Sequence, residues 1–236
     1  MKSEKKSHRQ RIREALLERI GSGELGPGER IIEARVAEEF GVSTIPVREA
    51  IRELVAMGLL QFEPHRGALV RKVQLHETIE ALNVRAALEP LAARAACPGL
   101  QGRCDVLRQV VRAIVDAARR RDFVAFQHHN QVFHRTIFEA SESNVLLRFW
   151  DLLAFEVRTR VILEYLTTVD PIALAEEHES IVKAFEEGDA KKAAALLQSH
   201  SRGLISYLEQ RASTDRVRQL TSGRSGNGTR RAGRVT

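Results

Sequence analysis

Cysteine is almost missing from this 236-residue chain, with Cys97 and Cys104 the only two. Two cysteines build neither a disulfide framework nor a four-thiolate zinc site. Aromatic residues make up 5% of the chain, with one Trp and two Tyr among them. So small a supply, with 15 Gly and 6 Pro, argues against an all-β sandwich and for a mostly helical chain. No apolar run approaches the roughly 18 uncharged residues that a membrane helix needs. The opening residues, MKSEKKSHRQRIRE, are charged and lack the apolar centre of a secretion signal. The expectation is a soluble, cytoplasmic protein with no membrane partner. Charge, by contrast, is plentiful and uneven. Residues 1–73 carry a net +3, residues 74–212 a net −2 and residues 213–236 a net +5. A basic first segment and tail around a nearly neutral middle suit a polyanion partner, most plausibly nucleic acid.

The hydrophobic period divides the chain into three parts. In residues 1–73, Ile12, Leu16, Leu17 and Ile20 recur at helical spacing and stop at Gly21–Gly23. A short helix over 32–40 follows, ended by Gly41. A third begins at Ser43, a residue suited to an N-cap, and runs to about Met57 before Gly58. Leu60–Phe62 and Ala68–Val70 read as short strands around a hairpin tip at Pro64–Gly67. Residues 74–212 have helical period almost throughout, with helices expected at 76–96, 102–120, 122–141, 144–166, 171–187 and 190–211. Asp122, Asn144 and Asp170 are the candidate N-caps, and the Pro98-Gly99 pair is a break. These helices predict an antiparallel bundle. Residues 213–236, rich in Gly, Ser and Arg, offer little to bury and read as a disordered basic tail.

Helix, short helix, tight Gly-Val turn, helix and two-stranded ribbon form the order of a winged helix-turn-helix. The fold class expected is thus mainly α, with a small β-hairpin wing. On the third helix, Val47, Ile51, Leu54 and Val55 form an apolar stripe, while Thr44, Arg48 and Arg52 form a polar one. Arginines so placed reach phosphates or guanine edges. At the wing tip, His65 and Arg66 extend this surface, and Gly67 permits close backbone approach. The alternative for Arg48 and Arg52 is a solvated face paired to Glu49 or Glu53.

Residues 9–73 resemble the GntR superfamily of bacterial transcription regulators. The resemblance is carried by Pro27-Gly28, Ile32-Glu33, Val36-Ala37, the run GVSTIPVREAI over 41–51, Leu54 and Gly58-Leu59. It implies that Ser43, Thr44, Pro46 and Arg48 lie at the DNA, with the wing near Gly67. Thr44 stands where the family usually has Arg.

Three of the eight histidines have useful spacing. His134 sits mid-helix with Asn130 one turn earlier on the same face. His178 and His200 lie about ten and eleven residues either side of the Gly188-Asp189 turn, each roughly 16 Å along its helix. They are therefore level across a helix hairpin. Three imidazoles and one oxygen suit a divalent transition metal such as zinc, nickel or manganese. His128 and His129 point elsewhere. A metal-dependent hydrolase fused to a basic nucleic-acid-binding segment is the competing reading. It lacks a base, because Glu177, next to His178, projects about 100° away on its helix.

Residues 75–212 resemble the FCD effector domain of the FadR branch. This rests on Arg85-Ala-Ala-Leu-Glu89, Phe133-His134, Ser143-Asn144, Glu177-His178 with Ile181, Gly188-Asp189-Ala190 and His200. Metal-binding members use an Asp and three histidines, which map onto Asn130, His134, His178 and His200. With an amide in place of the Asp, the implied metal is weak or exchangeable. The resemblance further implies a small carboxylate effector with Arg85 as a possible partner, a homodimer, and a double-stranded, palindromic DNA operator.

Overall fold

The computed structural model describes residues 6–224. Its N-terminal part runs α1 (His8–Ser22), β1 (Arg30–Ile31), α2 (Glu33–Phe40), α3 (Thr44–Ala56), β2 (Leu60–Glu63) and β3 (Gly67–Val70). α1 starts at a capping box, in which Ser7 and Gln10 each satisfy the other's backbone N–H. Ser43 occupies the N-cap of α3, as expected, but its side chain makes no capping bond. The three helices bury Ile12, Leu16, Val36, Val47, Ile51 and Leu54 against the wing residues Leu60, Ala68 and Val70. Val55 is half-buried. The wing has a third strand that the sequence did not suggest. β1 pairs antiparallel with β3, giving the order β1-β3-β2. Two residues, Arg30 and Ile31, are too few to show an alternating pattern. The chain is a winged helix-turn-helix joined to a helical bundle.

The bundle comprises α4 (Leu75–Leu100), α5 (Asp105–Arg119), α6 (Phe123–Ala140), α7 (Asn144–Leu153), α8 (Phe155–Arg158), a 3-10 turn (Thr159–Ile162), α9 (Leu163–Leu166), α10 (Pro171–Glu186) and α11 (Ala190–Arg224). α11 lies along α4, and α5 packs between α6 and α10. Asp122 and Asp170 cap α6 and α10 as expected; at α7 the cap is Ser143, whose hydroxyl accepts from the Leu146 N–H, and Asn144 is the first helical residue.

Three helix boundaries differ from those expected. α4 passes through Pro90 and Pro98 to Leu100 instead of stopping at 96–98. Pro90 supplies no N–H for the Ala86 carbonyl. Gln198 of α11 fills that place, its Nε2 donating to Ala86 O at 3.2 Å. The helix expected over 144–166 breaks at Ala154, which adopts φ 45°, ψ 53°. Alanine is the best helix former, so no local signal marked the break. The cause is tertiary: Ala154 and Val157 are buried with the winged-helix core, whereas Phe155 and Ile162 are buried with the bundle core. Finally, α11 continues to Arg224, so residues 213–224 are helical and not a disordered tail. Stretches such as RVRQL are good helix formers, and a helix satisfies its own backbone without burial. The remainder of the expected tail, 225–236, lies outside the described residues.

The Asp170 carboxylate accepts from the backbone N–H of Ile172 at 2.9 Å and of Ala173 at 3.4 Å. Asp170→Ala is expected to cost about 1 kcal/mol of stability, read as a lower urea midpoint with an unchanged slope.

Candidate functional site

On α3, Val47, Ala50, Ile51 and Leu54 are fully buried, which turns Ser43, Arg48 and Arg52 outward. Thr44 and Pro46 are half-buried at its first turn. Arg48 pairs with Glu33 of α2, Nε to Oε2 at 2.6 Å, and not with Glu49. Glu53 is taken by Arg9 and Arg13 of α1. Arg52 makes no ion pair among the described residues. At the wing, His65 and Arg66 are exposed and Gly67 is half-buried; Arg66 pairs with Glu63 at 2.7 Å. His65 takes φ 64° and Gly67 φ 79°, the tight tip that the sequence suggested. The same surface carries two apolar residues that sequence reasoning passed over. Ile45 is 65% exposed beside Thr44, and Phe62 is 54% exposed on the wing. The available signal was that Ile45 lies off the buried 47/51/54 stripe.

The histidine cluster forms inside the bundle, from α6, α10 and α11. One ring nitrogen each from His134, His178 and His200 lies within 4.8 Å of the others. His134 and His178 are fully buried and His200 nearly so. Each Nδ1 meets an oxygen. That of His134 lies 2.7 Å from Glu89 Oε1, that of His178 3.1 Å from the Ala175 carbonyl, and that of His200 2.6 Å from Glu177 Oε2. A proton held on Nδ1 of His134 and of His200 would leave their Nε2 lone pairs for the centre, whereas His178 has an oxygen at each ring nitrogen, the Ala175 carbonyl at Nδ1 and Asn130 Oδ1 at Nε2. Outer oxygens of this kind orient histidine ligands around metals. Glu177 therefore does turn away from His178, as its helix position required, and the turn brings it to His200.

Two of the expected site residues have other partners in the structure. Asn130 stands on the His134 face of α6, but its Oδ1 is 2.9 Å from His178 Nε2, so it is a partner of a candidate ligand. Arg85 is buried beside the cluster and already engaged with neighbouring groups. Its Nε lies 3.2 Å from Glu89 Oε1, its Nη2 donates to Ser201 Oγ at 3.1 Å, and its guanidinium lies 5.2 Å from the Phe155 ring centre. Nε and Nη1 make no hydrogen bond among the described residues, Nε having only its ion-pair contact to Glu89. Burial by itself would raise the Glu89 carboxyl, yet the His134 ring and the Arg85 guanidinium outweigh it and hold it down at about 2. Burial, with Arg85 adding to it, pushes His134 down to about 4. Burial and the two neighbouring rings hold His178 well below its ordinary range. At neutral pH His134 and His178 are thus neutral imidazoles beside one internal ion pair.

Residues 8–70 match the family described as bacterial regulatory proteins, gntR family, and residues 80–203 match the FCD domain. A probable D-xylose utilization operon transcriptional repressor of Paenarthrobacter nicotinovorans is 35% identical over 80% of this chain and 83% of its own. The chain belongs to the GntR family. The regulator is also 25% identical to the HTH-type transcriptional repressor RspR of Escherichia coli K12, over 79% of this chain and 82% of that one. Among solved structures, E. coli McbR/YncC superposes with a TM-score of 0.71 over 88% of this chain and 100% of that one, at 24% identity, and so shares its fold. These relatives and matches are transcription regulators and not enzymes. The hydrolase alternative is not favoured. Among the described residues, no helix of the regulator is long and apolar enough to cross a membrane.

FCD domains can bind metals, and the regulator's donor set fits one. Three clustered imidazoles suit a divalent transition ion, and Asn130 Oδ1 stands 2.9 Å from one of them, at His178 Nε2. What sequence reasoning missed were the supports: Glu89, Ser201 and Phe155. Glu89 had a signal, since it is four residues from Arg85 on one helical face. Ser201 had none beyond its place next to His200.

The buried neutral histidines make folding pH-dependent. Unfolded, they take up protons below about 6.5, whereas folded His134 does so only at about 4 and folded His178 well below its ordinary range, so stability falls as pH drops below about 6.5. Glu89 adds a loss between its ordinary 4.5 and about 2. Urea midpoints should decline from pH 7 to pH 5, and His134→Gln/His178→Gln should flatten that decline.

Proposed function

We propose that this regulator binds a palindromic operator as a homodimer and releases or tightens it in response to a small ligand held in the bundle. Residues 1–73 read the DNA and residues 74–212 bind the ligand and dimerise. The observation that carries the reading is the pairing, in one chain, of an α3 face of exposed Arg48 and Arg52 beside half-buried Thr44 with the His134/His178/His200 cluster. Ser43, Thr44 and Pro46 position the start of α3 on the phosphates, Arg48 and Arg52 reach base edges, and Ile45 contacts a thymine methyl. His65, Arg66 and Gly67 follow the backbone beside the groove. Arg48→Ala should weaken specific binding by about 1–3 kcal/mol at fixed salt, measured by fluorescence anisotropy on the operator. An unchanged affinity would remove Arg48 from the reading face.

His134, His178 and His200 would hold a divalent ion, with Asn130 nearby. Such an ion supplies a Lewis-acid point on which an anionic oxygen can bind. Since Asn130 brings no charge, a carboxylate effector supplies the missing negative ligand, and metal held by the protein alone is exchangeable. The name of the Paenarthrobacter relative suggests that such a regulator represses genes for using a carbon source. Elemental analysis and titration calorimetry test this site. His178→Ala/His200→Ala should lose metal and ligand response but keep operator binding. Equal metal content in that variant would sink it.

Homodimerisation is supported by apolar residues that the single chain leaves open. Val145, Phe149 and Leu152 follow helical spacing on α7 and are 56%, 46% and 49% exposed. α7 packs on α4, where Val84 and Leu91, seven residues apart, are also exposed. Phe149→Glu should shift the chain to monomer in light scattering and weaken operator binding at least tenfold.

The route from ligand to DNA runs through α8. Phe155 lies under Arg85, and its carbonyl accepts from Gln131 Nε2 at 3.0 Å. Three residues on, Arg158 Nη2 donates to the Met57 carbonyl at the end of α3 at 2.6 Å. Thr78 Oγ1 holds the Arg158 carbonyl at 2.9 Å. Arg158→Met should leave operator affinity within a few-fold and blunt the ligand-induced change, measured with and without ligand by anisotropy.

A further inference from the structure

A cavity lies away from the histidine cluster. It has a volume of about 790 Å³ and lies where α1 faces α6, closed at one end by Arg160 and Leu163. None of His134, His178 or His200 lines it. That volume is in the range of pockets that enclose small organic molecules. Its walls are mainly apolar, from Leu17 on one side and Val124, Ala125 and Leu163 on the other.

Gln127 supplies the observation that points to an occupant. It lines the cavity, is 6% exposed, and its Nε2 has no hydrogen-bond partner among the described residues. Arg13, on the opposite wall, has a buried Nε in the same condition, although its Nη1 reaches Glu53 at 3.3 Å. A buried donor without an acceptor is costly, and a ligand oxygen relieves that cost. The charges speak against an acid. Arg135 is paired with Asp151 and Glu139, and Arg160 spends its Nη1 on the Gly21 carbonyl at 2.9 Å. Glu18 and Asp122 add negative charge to the rim.

We propose that this cleft is a second small-molecule site, taking an uncharged, mainly apolar compound that carries a hydrogen-bond acceptor such as a ketone or amide oxygen. The acceptor meets Gln127 Nε2, and the body lies between Leu17 and Ala125. An occupant also touches Gln131, which holds the Phe155 carbonyl, and Arg160, which holds the end of α1. It therefore acts on one bond that sets α8 inside the bundle and on one that joins the bundle to the winged helix. This site stands apart from the histidine cluster and does not rest on a metal.

The test titrates the full chain with prodan, an uncharged naphthalene ketone whose emission shifts to the blue out of water. Saturable binding of one prodan per chain is expected, with at least tenfold weaker binding of the anionic dye anilinonaphthalene sulfonate. Ala125→Trp fills the cleft and should weaken prodan at least tenfold. Gln127→Leu should weaken it several-fold. His178→Ala/His200→Ala should leave it unchanged, which separates this site from the effector reading. Leu17→Trp fills the cleft from the other wall, so a single misfolded variant does not decide the outcome; thermal melting and operator binding show that each is folded. Absent saturation, preference for the anionic dye, or undiminished prodan binding in both tryptophan variants would overturn the proposal.

Discussion

Phe155 and Val157 are two residues apart on one helical turn, and each is buried in a different hydrophobic core. That short segment can be satisfied only if winged helix and bundle are docked in one relation. The left-handed backbone of Ala154 makes the arrangement possible, since a continued α7 would carry both residues past the junction. Polar groups then fix what the apolar contacts select. Arg158 reaches back to the Leu153 carbonyl, left open by the break, and across to Met57 at the end of α3. Arg71 reinforces the same spot, donating to the Gly58 carbonyl at 2.6 Å and pairing with Glu77 of α4. Gly58 has φ 71°, and a Cβ there would stand 3.2 Å from the Arg71 guanidinium. The end of the DNA-reading helix is thus held by two arginines whose other contacts lie in or next to the bundle.

The second constraint is the buried trio Arg85, Glu89 and His134. An isolated charge in so dry a place is prohibitive, whereas a guanidinium and a carboxylate one helical turn apart offset each other before α4 meets any neighbour. The remaining capacity of Glu89 orients His134, and that of Arg85 spreads to Ser201 and the face of Phe155. One ion pair therefore supports the cluster on one side and the joint on the other. Removing either partner would leave a buried charge uncompensated, which costs far more than the pair itself contributes.

Much of this was legible in the order of residues. The 3.6-residue period gave the helices, the Gly-Val turn and hairpin gave the wing, and the equal spacing of His178 and His200 from the Gly188 turn placed them level. Spacing also put Asn130 beside His134, but rotation about α6 carries its amide to His178 instead. What escaped was set by contacts between distant segments. Ala154 breaks a helix for reasons lying in two cores, Pro90 continues one because Gln198 arrives from α11, and Glu177 finds His200 across a helix pair. β1 was too short to show a pattern. Arg85 looked available because a sequence shows its charge and not its partners.

Trp150 is the chain's only tryptophan, and it is buried with its ring 5.0 Å from Phe138 and 4.9 Å from Phe155. Indole emission from this molecule is therefore not an average over scattered sites. It originates in contact with Phe155, in the segment shared by both cores. The chain carries its own optical gauge of that junction, with no label required and no background from a second indole.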